Sequence, residues 1–232
     1  MRARIAAACR RVDRDPGGVR LVAVTKGRSP DEVRALVAAG QRILAENRVQ
    51  DWRAAADRLA EPSLEWHLIG HLQRNKVRFC RPFALIHSLD SERLALALEA
   101  EGAKHDHVFR TLVQVNVAGE AGKYGVTPAE TAALLARVRR LEHVRVEGLM
   151  TMAPYDEDPE RSRPVFRGLR ALATELGATE LSMGMSGDFE VAVEEGATMV
   201  RVGSALFADS PGAAGGNADA APARSTPTAV GS

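Results

Sequence analysis

The sequence has few of the residues that several large function classes require. Its 2 cysteines, Cys9 and Cys80, are too few for a disulfide framework and lack the CxxC spacing of metal and redox motifs. Aromatic residues make up only 4% of the chain, so a stacking platform for single-stranded nucleic acid is not expected. With 31 basic and 30 acidic residues, the net charge of +1 gives no general attraction to nucleic acid or membranes.

Long apolar runs are also missing, so the sequence predicts no membrane-spanning helix. Residues 1–11 loosely resemble a lipoprotein cleavage site at Cys9, but no hydrophobic region precedes that cysteine. Apolar residues instead recur at Ile5, Ala8, Cys9 and Val12. This spacing predicts a short amphipathic helix. We therefore expect a cytoplasmic protein.

The most informative stretch is VRLVAVTK, residues 19–26. Its apolar run between Gly18 and Gly27 is typical of a parallel strand that is buried on both faces. Lys26 is then expected at the carboxyl end of the strand, where α/β folds bind ligands and water is scarce. Desolvation disfavours the ammonium form, and the free amine can form a Schiff base with a carbonyl compound. The alternative is a lysine that merely extends to solvent.

An apolar run followed by a helical pattern recurs along the chain. The predicted strands are residues 19–24, 42–46, 65–69, 84–89, 111–117, 144–152, 181–185 and 198–202. The predicted helices are residues 30–40, 49–59, 74–79, 91–101, 128–141, 159–176 and 188–195. Eight unbroken units predict a (β/α)₈ TIM barrel rather than a doubly wound open sheet.

Domain limits follow from the same pattern. The last strand leaves little room for a final helix, so we expect the amino-terminal helix to cover that gap. From residue 209 onward Gly, Ala, Pro, Ser and Thr dominate without an apolar period. The sequence therefore predicts a barrel over residues 1–208 and a disordered tail over residues 209–232.

Polar residues collect at the predicted strand ends. These are Lys26, Glu46, Asn47, His67, His87, Asn116, Ser186, Arg201 and Ser204. The loops after strands seven and eight commonly bind phosphate in a TIM barrel. Ser186 and Gly187 precede a helix whose first N–H groups are expected to be unpaired, and Gly203 and Ser204 follow the last strand. An ordinary helix cap is the alternative for residues 186–188.

A phosphate site facing a nucleophilic lysine implies a phosphorylated carbonyl ligand. Pyridoxal phosphate and the sugar phosphate of an aldolase both fit this description. A metal site is not expected, because His67 and His71 lie across a strand end without a carboxylate pattern. We interpret these two residues as an ordinary strand histidine and an ordinary loop histidine.

Six motifs resemble one known family in its own order, from residue 21 to residue 207. They are LVAVTKG, ENRVQ, EWHLIGHLQRNK, VNVAGEAGKYG, GLMTM and LSMGMSGDFEVAVEEGATMVRVGSALF. The chain resembles the pyridoxal phosphate homeostasis family, a group of single-domain barrels related to the amino-terminal domain of alanine racemase. The cofactor implied by the resemblance is pyridoxal 5'-phosphate.

The resemblance also implies roles for individual residues. Lys26 would hold the cofactor as a Schiff base, and Asn47 would line the pocket. The phosphate would contact Ser186, Gly203 and Ser204. Arg201 would face the pyridine nitrogen. A second cation there is unfavourable, so the nitrogen would stay unprotonated and the ring would be a weaker electron sink.

The implied function is intracellular pyridoxal phosphate homeostasis without substantial catalysis. A racemase needs a second acid/base, which alanine racemase takes from another domain. The expected partners are recipient pyridoxal phosphate enzymes, and we expect a monomer. Two alternatives stay open. One is a racemase-like enzyme that uses Lys26 with His67 or Tyr124 as the acid/base, and the other is a cofactor-free Schiff-base aldolase.

Overall fold

Eight parallel strands follow one another around a closed barrel. The structure, a computed structural model, describes residues 1–207. The strands are β1 Arg20–Val24, β2 Ile43–Glu46, β3 Glu65–Leu68, β4 Leu85–Leu89, β5 Phe109–Gln114, β6 Val144–Met150, β7 Glu180–Ser182 and β8 Met199–Val202. Each strand pairs with the next, and β1 pairs with β8 to close the barrel. The predicted (β/α)₈ barrel is therefore confirmed.

Helices surround the barrel between the strands. They are α1 Arg2–Arg11, α2 Pro30–Ala38, α3 Val49–Leu59, α4 Glu92–His105, α5 Pro128–Val138, α6 Arg163–Leu176 and α7 Phe189–Glu194. Short 3₁₀ helices cover Pro16–Gly18, Arg74–Phe79, Pro159–Ser162 and Ser204–Leu206. The predicted boundary at residue 208 and the predicted tail at 209–232 lie outside the described residues.

The beginning of α2 shows why these helices begin where the sequence predicts. The Ser29 hydroxyl accepts from the Glu32 amide at 3.3 Å, and the Glu32 carboxylate accepts from the Ser29 amide at 2.8 Å. Pro30 occupies the first helical position, where its missing N–H costs nothing. This capping box satisfies two backbone donors that the helix itself leaves unpaired.

The amino-terminal helix covers the gap beside the last strand, as predicted. It packs on α7, where Arg4 pairs with Glu190 at 2.8 Å. At its other side, Arg2 donates to the Gly40 carbonyl, just after α2, at 3.1 Å. Helix α1 thus spans the space where an eighth barrel helix would otherwise lie.

Two predicted helix ends differ from the structure by three residues or more. The helix predicted over residues 128–141 ends at Val138. The helix predicted over residues 91–101 continues to His105, although Gly102 breaks the apolar pattern. A Cβ atom at Gly102 would lie 2.5 Å from the His107 carbonyl oxygen. Gly102 therefore permits a close approach of the chain that follows the helix, and it does not end the helix.

The barrel interior has its own apolar cluster, separate from the larger core between barrel and helices. Its buried members are Val22, Ala45, Leu85, Leu112, Met150 and Met199. They come from six different strands, and in the described chain β3 and β7 add no buried member to this cluster. Polar side chains from those two strands enter the interior instead.

Neither cysteine is paired, and both are buried. Burial raises the pKa of the Cys80 thiol to about 12, because the thiolate would lose its hydration. Over residues 1–207, the helices are too short or too polar for any of them to cross a membrane.

We expect Gly148→Ala to destabilise the barrel by about 3 kcal/mol, as overpacking against backbone does. A Cβ atom at residue 148 would lie 2.0 Å from the Glu180 carbonyl oxygen, and residues 148 and 180 are partners in the β6–β7 ladder. Urea unfolding measures the change in the free energy of unfolding. Gly18→Ala is the matched control, since a Cβ there meets nothing within 4 Å. Equal stability of both variants would contradict the close contact.

Candidate functional site

The β1–β8 ladder brings two chain segments together at the carboxyl end of the barrel. Val22 pairs with Arg201, and the next residues along both strands pair as well. Lys26 lies two residues beyond the end of β1, and Gly203 follows β8 directly. A Cβ atom on Gly203 would lie 3.4 Å from the Cβ atom of Val24. Lys26 and the loop after β8 therefore occupy adjacent positions on one rim.

Lys26 is exposed at this rim. The sequence predicts a desolvated lysine, and the structure corrects this expectation. The strand ends at Val24, Thr25 is the last buried residue, and Gly27 turns the chain with a φ of +72°. This turn places Lys26 beyond the buried part of the strand, so burial does not supply the desolvation.

Ser186 connects the two loops predicted to bind phosphate. Its hydroxyl oxygen accepts from the backbone amides of Gly203 at 3.2 Å and Ala205 at 3.4 Å. Ser204 lies between these two amides and is exposed. Two N–H groups thus point at the Ser186 hydroxyl at this part of the rim, and an anion that displaced this oxygen would meet both of them.

Helix α7 contributes less to this anion environment than the sequence predicts. Its first N–H groups are not all unpaired, because the amides of Asp188 and Phe189 donate to the Met185 carbonyl at 3.2 and 2.9 Å. The Asp188 side chain does not cap the helix. It accepts from the Met185 amide at 2.6 Å and from the Ser162 hydroxyl at 3.1 Å, and so shapes the loop.

Arg201 is 3% exposed and lies beneath the rim, inside the barrel. Its guanidinium group donates to the Ser182 hydroxyl at 2.6 Å and to the Thr151 carbonyl at 2.9 Å. Burial lowers its pKa to about 10, with Asp188 acting in the opposite direction, so the group remains charged at neutral pH. These two bonds use two of the five N–H donors of the group.

Asn47 is half-buried at the same rim, directly after β2. A Cβ atom at Gly70 would lie 2.2 Å from the Asn47 carbonyl oxygen. Gly70 therefore allows the end of β3 to lie against the backbone of Asn47. This contact fixes the position from which the Asn47 side chain extends.

Glu46 is a buried residue of the site, and the sequence does not predict its raised pKa. It is 3% exposed, and one of its oxygens, Oε2, has no hydrogen-bond partner among the described residues. Burial raises the pKa of this carboxyl, while the hydrogen bond with Thr25 and the nearby charge of Lys26 act in the opposite direction. A buried acid beside the rim lysine is therefore kept neutral over a wider pH range than usual.

The Thr25 hydroxyl is the hydrogen-bond partner of Glu46 Oε1. It donates to this oxygen at 2.5 Å and also lies 3.3 Å from the Ala45 carbonyl oxygen. A hydroxyl that donates to a carboxylate favours its ionised form, so this bond opposes the effect of burial on the pKa of Glu46.

His67 and His71, the two histidines near the end of β3, lie in different surroundings. His67 is fully buried and points into the barrel. His71 stays at the rim, where its ring stacks on Tyr124 with centroids 3.9 Å apart and its Nδ1 atom lies 3.1 Å from Asp90. Across residues 1–207, no group of three or more ligating side chains is arranged to hold a metal ion.

The barrel carries a lysine after its first strand and the Gly203–Ser204 loop after its last, and comparison with known proteins identifies the family to which such a chain belongs. Residues 1–211 match the family model described as "Alanine racemase, N-terminal domain". That match covers more than half of the chain, and the chain belongs to this family.

Two relatives and one solved structure are similar to this chain over most of its length. The chain is 43% identical over 213 residues to an Aquifex aeolicus protein and 48% identical over 197 residues to a Deinococcus radiodurans protein. Both are named "Pyridoxal phosphate homeostasis protein", and the matches cover 89% and 84% of this chain and 93% and 91% of theirs. The solved structure of PipY from Synechococcus elongatus with pyridoxal phosphate bound has a TM-score of 0.78 at 38% identity, covering 89% of this chain and all of PipY.

The raised pKa of Glu46 predicts a pH dependence of stability. The folded chain retains this proton above the ordinary pKa of 4.5, whereas the unfolded chain releases it. Folded protein then binds more protons, so this residue lowers stability as the pH rises above about 4.5. We expect Glu46→Gln to gain stability relative to wild type as the pH rises from about 4.5 toward neutral.

Urea unfolding over that pH range measures the difference between the two proteins. The control is Glu157→Gln, at an exposed position, which should show the same pH trend as wild type. A stability difference between wild type and Glu46→Gln that does not change with pH would show that Glu46 ionises normally.

Proposed function

We propose that this protein binds pyridoxal phosphate as a Schiff base on Lys26 and serves intracellular pyridoxal phosphate homeostasis. The observation that carries the proposal is the convergence of three groups at one end of the barrel. They are the Lys26 amine, the Ser186 hydroxyl with the Gly203 and Ala205 amides, and the buried Arg201 guanidinium. The names of the relatives and the pyridoxal phosphate in the PipY structure support the same ligand.

Each part of pyridoxal phosphate has a matching group here. When bound, the cofactor supplies an aldehyde that condenses with a primary amine, and Lys26 carries one. Its phosphate needs N–H and hydroxyl donors, which Ser186, Gly203 and Ser204 would supply, with the Gly203 amide exchanging the Ser186 oxygen for a phosphate oxygen. Its ring nitrogen would accept from Arg201, which is charged at neutral pH and disfavours protonation of that nitrogen. Asn47 would line the pocket from β2.

The site favours holding and releasing the cofactor over catalysis. Racemisation needs a second acid/base on the opposite face of the cofactor. His67 is unsuited to this role, because it is fully buried and both of its ring nitrogens lie within 2.9 Å of other side chains. Tyr124, the other residue considered as an acid/base, is 55% exposed, and its ring stacks on His71. An exposed Lys26 at an open rim instead suits transfer of the aldehyde to recipient enzymes.

We also propose that the protein acts in the cytoplasm. Its two cysteines are unpaired and buried, which suits a reducing compartment.

Lys26→Ala tests the attachment directly. We expect wild-type protein incubated with pyridoxal phosphate to show a visible absorption band that disappears on borohydride reduction, and we expect Lys26→Ala to lack that band. Lys104→Ala is the matched control, because Lys104 is an exposed lysine near the end of α4. A colourless wild type that takes up no pyridoxal phosphate would reject the proposal and favour the aldolase alternative.

Ser186→Ala tests the phosphate contact. Loss of one hydrogen bond to a charged group costs about 1.5 to 3 kcal/mol, so we expect pyridoxal phosphate to bind at least about tenfold more weakly. Binding of pyridoxal, which has no phosphate, should be unchanged. Titration of both ligands into wild type and variant gives the two dissociation constants, and an equal loss for both would place the phosphate elsewhere.

A further inference from the structure

A continuous line of polar side chains crosses the interior of the barrel. Glu65 Oε1 lies 2.8 Å from His67 Nε2, and His67 Nδ1 lies 2.9 Å from His87 Nε2. His87 Nδ1 lies 2.8 Å from the Ser182 hydroxyl, which accepts from Arg201 at 2.6 Å. Four hydrogen bonds thus join five residues of β3, β4, β7 and β8, which we call the interior chain.

The interior chain connects the two ends of the barrel. His67, His87 and Ser182 are completely buried, whereas the Glu65 side chain is 38% exposed at the beginning of β3. Side chains two residues apart in a strand share a face, so Glu65 and His67 point the same way. At the other end of the chain, Arg201 lies beneath the rim that carries Lys26.

Chemistry gives the interior chain a single direction. The Arg201 guanidinium can only donate, and an ionised Glu65 can only accept. Ser182 accepts from Arg201. A neutral His87 that donates through Nε2 has its lone pair on Nδ1, so Ser182 donates to His87 Nδ1. Nε2–H of His87 donates to His67 Nδ1, and Nε2–H of His67 donates to Glu65. The opposite direction would place the lone pair of His67 Nε2 against the Glu65 carboxylate.

Burial and the charges around His67 and His87 favour the neutral form of both imidazoles. Desolvation lowers the pKa of both histidines. Glu65 raises the pKa of His67, but Arg20 and Arg110 at the same end of the barrel lower it. For His87, the neighbouring His67 and Arg201 add to the lowering. The hydrogen bond from His67 holds the pKa of Glu65 below its usual value.

We propose that Glu65, His67, His87 and Ser182 are positioning residues that fix the Arg201 guanidinium for the cofactor ring nitrogen. This inference rests on the proposed function, and none of the four residues needs to touch the cofactor. The negative end at Glu65 sets the direction of every hydrogen bond up to Arg201. A substitution at Glu65, at the amino end of the barrel, should therefore shift the pH midpoint of the cofactor's absorption change at the carboxyl end.

The direction of the interior chain can be measured without cofactor by ¹⁵N NMR of the histidine rings. We expect wild type to show Nε2–H and bare Nδ1 in both His67 and His87 over about pH 6 to 8. Glu65→Gln should yield mixed tautomers, because an amide can donate as well as accept. A ring of wild type with a protonated Nδ1 at neutral pH would overturn the inferred direction.

The link to the cofactor is tested on the loaded protein. We expect Ser182→Ala and Glu65→Gln to shift the pH midpoint of the cofactor's absorption change by about half a unit or more. Ser88→Ala is the control for serine, since Ser88 lies on β4 and donates to the Gly70 carbonyl, which is not part of the interior chain. Glu157→Gln is the control for glutamate, because Glu157 is exposed and takes no part in the interior chain. Both controls should keep the wild-type midpoint.

The outcomes separate the two proposals. A wild type that forms no cofactor band rejects the proposed function, and the cofactor role of the interior chain with it, while NMR still decides the direction of the chain. A normal wild-type band with unchanged midpoints in Ser182→Ala and Glu65→Gln would overturn the positioning role alone.

Discussion

Closure of the barrel between β1 and β8 is the constraint on which the site depends. Four successive residue pairs, from Arg20–Met199 to Ala23–Val202, join strands that are far apart in the sequence. This ladder places the turn that carries Lys26 beside the loop that carries Gly203. Helix α1 protects the same edge from outside through its contacts with α7 and the end of α2. The first and last parts of the chain therefore build the site together.

Closure also creates an interior that must be filled. Apolar residues from six strands fill part of it, and the interior chain fills another part. Burial of polar groups is costly unless each finds a partner, and here each histidine nitrogen, the Ser182 hydroxyl and the Arg201 guanidinium has one. The buried guanidinium is thus held under the rim by hydrogen bonds to two neutral oxygens, and the charge of Asp188 favours its ionised form.

These features suit a protein that holds a reactive aldehyde and releases it. Lys26 at the rim is an exposed residue, while the cation that would face the ring is buried and makes two hydrogen bonds. Burial raises the pKa of Glu46 close to Lys26, so the charge near Lys26 changes over a pH range above the usual one for a carboxyl. The position and chemistry of the rim therefore differ from the enclosed, desolvated pocket that a buried strand-end lysine first indicates.

Local order of the chain was determined by the sequence alone. Apolar periodicity predicted eight strands, the Ser29–Glu32 capping box predicted the beginning of α2, and the order of residues placed Lys26 and Arg201 at strand ends. These features depend on neighbouring residues, which a sequence displays directly. Tertiary structure alone decided three other features. They are the exposure of Lys26, the continuation of α4 beyond Gly102 and the raised pKa of Glu46. Tertiary structure also decided the interior chain, because His87 and Ser182 are 95 positions apart in the sequence and meet only when the barrel closes.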